Sequence, residues 1–184
     1  MKLKKVICVT LLLSVLMSMI AFANDMAWES LPGHHNRSVL LGEEETTSQD
    51  VVVRNARGEI ISTGVTEITN MQNGELRVRI RTYAHNQVDR IHHAAAVDQW
   101  NEDRQDWVQV GFWEFDKTKE EANNNLTSFS TSFTLTGYEV NKYYRVRGIH
   151  VVELGDEMEG CASETNGVKL TKKEKRYIIW YHYI

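Results

Sequence analysis

The stretch Asn73-Gly74-Glu75-Leu76-Arg77-Val78-Arg79-Ile80-Arg81 decides the fold class. Asn and Gly both tolerate positive φ, which the two central residues of a type I′ turn require, so Asn73-Gly74 predicts a hairpin whose flanks pair with matching twist. Behind it Leu76, Val78 and Ile80 alternate with Glu75, Arg77, Arg79 and Arg81. That two-residue period belongs to a strand with one face buried and the other in water.

The same period extends outward in both directions. Upstream lie Val51-Val52-Val53, a turn at Arg57-Gly58 and a strand over Glu59 to Thr69. Downstream, Val88 to Trp100 puts Ile91, His93, Ala95 and Val97 on one face, and after the polar Asn101 to Asp106 the chain resumes as the aromatic, β-branched run Trp107 to Phe115. This predicts a second hairpin, in which Trp107, Trp113 and Phe115 share a face by parity and pack inward. Phe129, Thr131, Phe133 and Leu135 alternate with Ser and Thr, and further strands are expected at Tyr143 to Val152 and Gly167 to Thr171. Only Asp116 to Ala122 offers a helix-tolerant turn. Seven or eight short strands without intervening helices specify an all-β, antiparallel two-layer sandwich of immunoglobulin/fibronectin III-like type, with a closed barrel as the alternative. There is no repeat of solenoid or propeller length.

The first 23 residues combine a cationic start (Lys2, Lys4, Lys5), an apolar stretch from Val6 to Ile20, and Ala21-Phe22-Ala23. This is the pattern of a signal peptide cleaved after Ala23, so the chain is expected to be secreted. The expected domains are thus a signal peptide (1–23), a flexible N-terminal segment (24–50) holding the single Pro32, a β-sandwich (51–171) and a basic-aromatic tail (172–184). Cys8 falls in the removed segment, which leaves Cys161 without an internal disulfide partner.

With 184 residues, 42% hydrophobic and 25% charged, the chain has the composition of a soluble globular domain with room for a core. The signal segment carries three of the 21 basic residues and no acids, so its removal moves the net charge from −4 to −7, which argues against nucleic acid as a partner.

The run Tyr143-Tyr144-Arg145-Val146-Arg147-Gly148-Ile149-His150, with Glu159-Gly160-Cys161-Ala162-Ser163-Glu164-Thr165 and Gly167-Val168-Lys169-Leu170 behind it, resembles the C-terminal signature of a domain family of unknown function found in small exported Gram-positive proteins. The Trp100 to Trp107 hairpin fits the same pattern, so the resemblance covers roughly residues 50 to 171. The end of the chain is also similar to the last two strands of fibronectin type III domains. It departs from them upstream, where no Leu-x-Pro-x-Thr-x-Tyr corner precedes Tyr144. These resemblances imply a fold and export, and no activity.

Candidate chemistry is sparse. Adjacent strand residues point to opposite faces, so His92 and His93 do not chelate one ion together, and neither a His-Glu-x-x-His motif nor Cys-rich spacing supports a metal site or cofactor. Glu159 and Glu164 flank Cys161 and are expected to raise its thiol pKa, and no Gly-x-Ser-x-Gly elbow exists, so no enzyme is expected. The acidic loops at 102–106 and 156–159 lack calcium-loop spacing. Trp100, Trp107 and Trp113 are the candidate ligand-binding residues, since indole rings stack on sugars or anchor protein interfaces. Lys172, Lys173, Lys175, Arg176 and Trp180 form a candidate docking tail that suits weak contact with a membrane surface. The expected function is non-enzymatic binding of a protein or glycan at the cell surface, with a membrane-active antibacterial role or a carbohydrate-binding module as alternatives.

Overall fold

The computed structural model describes residues 31–32, 38–55 and 60–173. Among these residues nine strands follow in order: β1 (Thr47–Val53), β2 (Ile61–Asn70), β3 (Leu76–Ala84), β4 (Arg90–Asn101), β5 (Asp106–Thr118), β6 (Ser128–Leu135), β7 (Tyr143–Leu154), β8 (Glu157–Glu164) and β9 (Val168–Lys169). One sheet has the order β1-β2-β3-β6 and the other β5-β4-β7-β8, with β9 also paired to β7; every strand pairing is antiparallel. The two sheets stack as a sandwich. Strands β2 to β8 divide three against four, as in immunoglobulin-type sandwiches, and β1 is added beside β2.

Period-two patterning explains the layering. In β3 the side chains of Leu76, Val78, Ile80 and Thr82 are buried between the sheets, whereas Arg77, Arg79 and Arg81 are half-buried on the outside. In β6 Leu135 is buried and Phe129 and Phe133 pack against the core, while Ser128, Ser130, Ser132 and Thr134 face out. One core cluster gathers Ile68, Val78, Ile80, Val97, Tyr144 and Val146; a second gathers Ile61, Ile91, Leu126, Val152 and Cys161.

Four local expectations need correction. The β2–β3 hairpin forms, but through a five-residue connection in which Gln72 (φ 61°) and Gly74 (φ 87°) take the left-handed conformation. Asn73 instead bonds Glu75 and bridges Lys172, so the tail start, not a type I′ turn, shapes this loop. The first strand starts at Thr47 rather than Val51, because Thr47 to Asp50 pair with Thr66 to Thr69. Asp116 to Thr118 continue β5 opposite β4 rather than opening a helical turn, and among the described residues no helix occurs. Finally, residues of the expected flexible N-terminal segment are pinned: Leu40 bridges Gly167, and the Ala162 N–H donates to the Pro32 carbonyl at 3.0 Å.

The β1–β8 side is closed by side chains. The Glu164 N–H donates to Asp50 Oδ2 (2.8 Å) and the Asn166 N–H to Ser48 Oγ (2.9 Å). The signal segment, Lys175, Arg176 and Trp180 lie outside the described residues.

Candidate ligand-binding cleft

The β4–β5 hairpin contains an irregularity that decides where its aromatic residues go. Val97 pairs with Gly111 and Asp98 with Gln109, so Val110 is an extra residue bulged out of β5. One extra residue reverses the parity of everything beyond it. Trp113, opposite Ala95, and Phe115, opposite His93, therefore face the core and pack on Phe133 at centroid distances of 5.2 and 5.3 Å. Trp107, opposite Trp100, lies on the other face. The predicted shared face of Trp107 and Trp113 is thus wrong, and the bulge is the reason.

On the outer face Trp100 and Trp107 meet edge to face at 5.3 Å. Trp107 is anchored: the Arg145 guanidinium lies over its ring at 4.7 Å, and Gly167 passes so close that a Cβ there would come within 2.6 Å of the indole. Arg145 belongs to a buried ionic network. Its Nε donates to Asp98 (2.9 Å) and its Nη1 to Glu164 (2.6 Å), while the Arg147 Nε and Nη2 donate to Asp98 (2.8 and 2.9 Å). Ser38 donates to Glu164 from the N-terminal segment.

Trp100 also lines a cleft of about 330 Å³ at the turn end of the β4–β5 hairpin. Gln99, Asn101, Glu102 and Asp103 line it from the β4 end, Val108 and Val110 from β5, and Glu139 and Lys142 from the β6–β7 connection. Lys142 Nζ stands 3.4 Å from Glu102, and the remaining carboxylates leave the cleft acidic. Tyr144 braces the wall: its buried hydroxyl donates to the Glu139 carbonyl at 3.0 Å and sits 3.3 Å from Gln99 Oε1. Burial pushes that phenol up to about 12, with Glu139 adding to the shift. Of the three predicted tryptophans, the structure sets Trp100 in the cleft, Trp107 beside it in the ionic network and Trp113 in the core. Glu139 and Lys142 escaped sequence reasoning because they lie some 40 residues from Glu102, and nothing local announces the approach.

His92 and His93 lie on opposite faces, as their adjacency on a strand predicts. His92 faces out and contacts Asp116 (3.0 Å); His93 faces in. His93 and His150 are fully buried and joined through Thr82, whose Oγ1 lies 2.8 Å from His93 Nε2 and 2.8 Å from His150 Nδ1. The chain of contacts runs on from His150 Nε2 to Ser163 Oγ (2.8 Å) and from Ser163 to Thr66 (2.6 Å), and at the other end from His93 Nδ1 to Thr131 (3.1 Å). Burial drives both imidazoles down to about 3, so both are neutral near pH 7. A hydroxyl has one proton, so Thr82 donates to one ring and accepts from the other. The two rings are thereby locked into the same tautomer, both Nδ1–H or both Nε2–H. Gly148 allows this close packing, since a Cβ there would stand 2.0 Å from Thr66 Oγ1.

Cys161 is fully buried beside this relay, and its thiol is pushed up to about 12. The main cause is burial rather than Glu159 and Glu164, which are turned to other partners: Glu159 accepts from the Ile60 and Ile61 N–H groups, and Glu164 from Arg145. Among the described residues no group of three or more His, Cys, Asp or Glu side chains is placed to hold a metal ion.

A family model described as a family of unknown function (DUF6147) matches residues 33–168, nearly the whole sandwich. No curated protein matches the chain.

Proposed function

The chain belongs to the family of unknown function DUF6147, and from that starting point we propose that it is a secreted, non-enzymatic β-sandwich whose cleft at the β4–β5 hairpin binds a carbohydrate at the cell surface. The observation that carries this reading is the composition of the cleft, which Trp100 lines together with carboxylates, amides and one ammonium. Sugars present apolar C–H faces and rings of hydroxyls, which suit an aromatic side chain flanked by hydrogen-bonding groups. The excess of Glu102, Asp103 and Glu139 over Lys142 favours neutral or amino sugars over acidic ones. The Ser163–His150 contact has the elements of a nucleophile–base pair, but both side chains are fully buried between the sheets, away from the cleft. Secretion rests on the tripartite N-terminal sequence alone.

Retention of the purified protein on a panel of immobilised neutral, amino and acidic glycans tests the proposal. Binding to a neutral or amino glycan is expected, with Trp100→Ala weakening it at least about tenfold, the loss of a principal stacking contact. A panel without any retention, or a Trp100→Ala protein that binds as tightly as the parent, rules the reading out.

A further inference from the structure

The outer face of the β1-β2-β3-β6 sheet carries a second pattern. Register places Arg77, Arg79 and Arg81 of β3 directly opposite Thr134, Ser132 and Ser130 of β6. The arginines are half-buried and the three hydroxyl residues exposed, so a column of guanidinium donors runs beside a column of hydroxyl donors. On the other flank, β2 sets Glu67 opposite Arg79, which it meets at 3.4 Å, with Arg81 at 3.9 Å; Arg77 faces Thr69. No ion pair joins Arg77 to a described residue, and the Nε atoms of Arg77 and Arg81 are buried without a hydrogen-bond partner. Within β2, β3 and β6 this face sets three cations against the one carboxylate of Glu67, with Glu75 at the end of the column bonded by Asn73, in a chain whose net charge is −4.

We propose that this ladder is a docking site for a linear polymer of polyol units joined by phosphodiesters, with successive phosphates seated on successive arginines. The spacing carries the assignment. Alternate residues of a strand are about 6.8 Å apart, a span of six backbone bonds from Cα to Cα. Phosphates joined through a three-carbon polyol are also six bonds apart, so an extended polymer of this kind runs in step with β3. Each guanidinium offers a planar fork to a phosphate, and the adjacent hydroxyl supplies a further donor. Nucleic acid has the same six-bond backbone repeat, but single strands are held by aromatic platforms on which the bases stack. Along the ladder the outward-facing ring is Tyr83, at the far end opposite Ser128, and hydroxyls occupy the positions between. The chemistry therefore favours a polymer without bases. The site is on the sheet opposite the one that carries Trp100, and it stands independently of carbohydrate binding in the cleft.

Fluorescence anisotropy of a labelled synthetic poly(glycerol phosphate) of about ten units, titrated with the full chain at several salt concentrations, tests the proposal. Binding is expected to weaken with salt with a log–log slope of about −2, the value for three phosphates on a single-stranded polyanion. The double variant Arg77→Gln/Arg81→Gln is expected to lose at least about tenfold in affinity with an unchanged circular dichroism spectrum. Trp100→Ala and Lys172→Gln/Lys173→Gln should each stay within about twofold of the parent, which separates this site from the cleft and from the tail. Should the double variant fold poorly, Arg77→Lys and Ser132→Ala replace it, and each is expected to weaken binding measurably while leaving the fold intact. The proposal is overturned by absence of binding to the parent, by undiminished affinity in folded ladder variants, by loss confined to the lysine variant, or by equally tight binding of an oligothymidylate of the same charge.

Discussion

His93 and His150 show how one buried side chain makes the stability of the protein depend on pH. Both imidazoles titrate at about 3 in the folded chain because burial penalises their charge, against about 6.5 when exposed in the unfolded chain. The groups packed against them include Thr66, Thr82, Thr131 and Ser163, with Phe129 stacked on His93 and Cys161 close to His150, and among the described residues no carboxylate is hydrogen-bonded to either ring. Below pH 6.5 the unfolded chain takes up protons that the native chain refuses, so stability present above that pH falls as the pH drops toward 3. Each ring contributes about 1.4 kcal/mol per pH unit across that window. Urea midpoints should therefore fall steeply between pH 7.5 and pH 5, and His150→Gln should flatten that fall; a midpoint indifferent to pH would contradict the buried neutral relay. Tyr144 is a second case at this scale. Its hydroxyl reaches back five residues to Glu139, the geometry of a tyrosine corner. The expected proline-containing corner motif is missing. The loop turns instead through Gly137 (φ 80°) and Asn141 (φ 65°), so the contact was invisible to a motif and evident in the backbone.

At the level of elements, alternation made most strands legible, because a face buried between two sheets must recur every second residue. β3 and β6 run from end to end without interruption, and their inward and outward residues are the ones expected. The reading of β5 holds from Gly111 to Phe115 and fails for Trp107, on the far side of Val110. A bulge adds one residue without changing composition or hydropathy, so nothing in the sequence of β5 marks it except Gly111. That glycine is also fixed by packing: a Cβ on it would stand 2.3 Å from the Trp113 ring. Gly111→Ala is therefore expected to displace the indole and cost about 1–3 kcal/mol of stability, with altered Trp fluorescence from the core. An unchanged melting curve would show that Trp113 has room to move. The cleft was only partly legible for a related reason: Trp100 announced itself in the sequence, whereas Glu139 and Lys142 come from the β6–β7 connection and the bracing Tyr144 from β7, which the crossing between sheets brings near.

Across the whole molecule the two outer faces are treated differently. The β1-β2-β3-β6 sheet leaves its arginine ladder half-exposed, whereas the opposite sheet is covered in part by the N-terminal segment, with Leu31 packed on Ala162 and Ser38 bonded to Glu164 and to the Thr165 carbonyl. The Glu164 side chain is only 2% exposed, and its Oε2 has no partner among the described residues, so the donors on Oε1 hold the charge. Ser38→Ala is expected to destabilise the protein by about 1–3 kcal/mol, because a buried carboxylate loses a donor. Hydrogen exchange should then quicken at Gly167 and Leu41, whose N–H groups donate to the Val39 and Gly167 carbonyls. Unchanged protection at both amides would show that the segment is held without Ser38. The extra residue in β5 has a last consequence, for self-association. β5 is the rim of its sheet, thirteen residues long and rich in rings, a profile that invites neighbouring chains to stack. A straight strand laid against it would match its hydrogen bonds on one side of Val110 and fall out of phase on the other, so runaway polymerisation along this rim is interrupted at its middle.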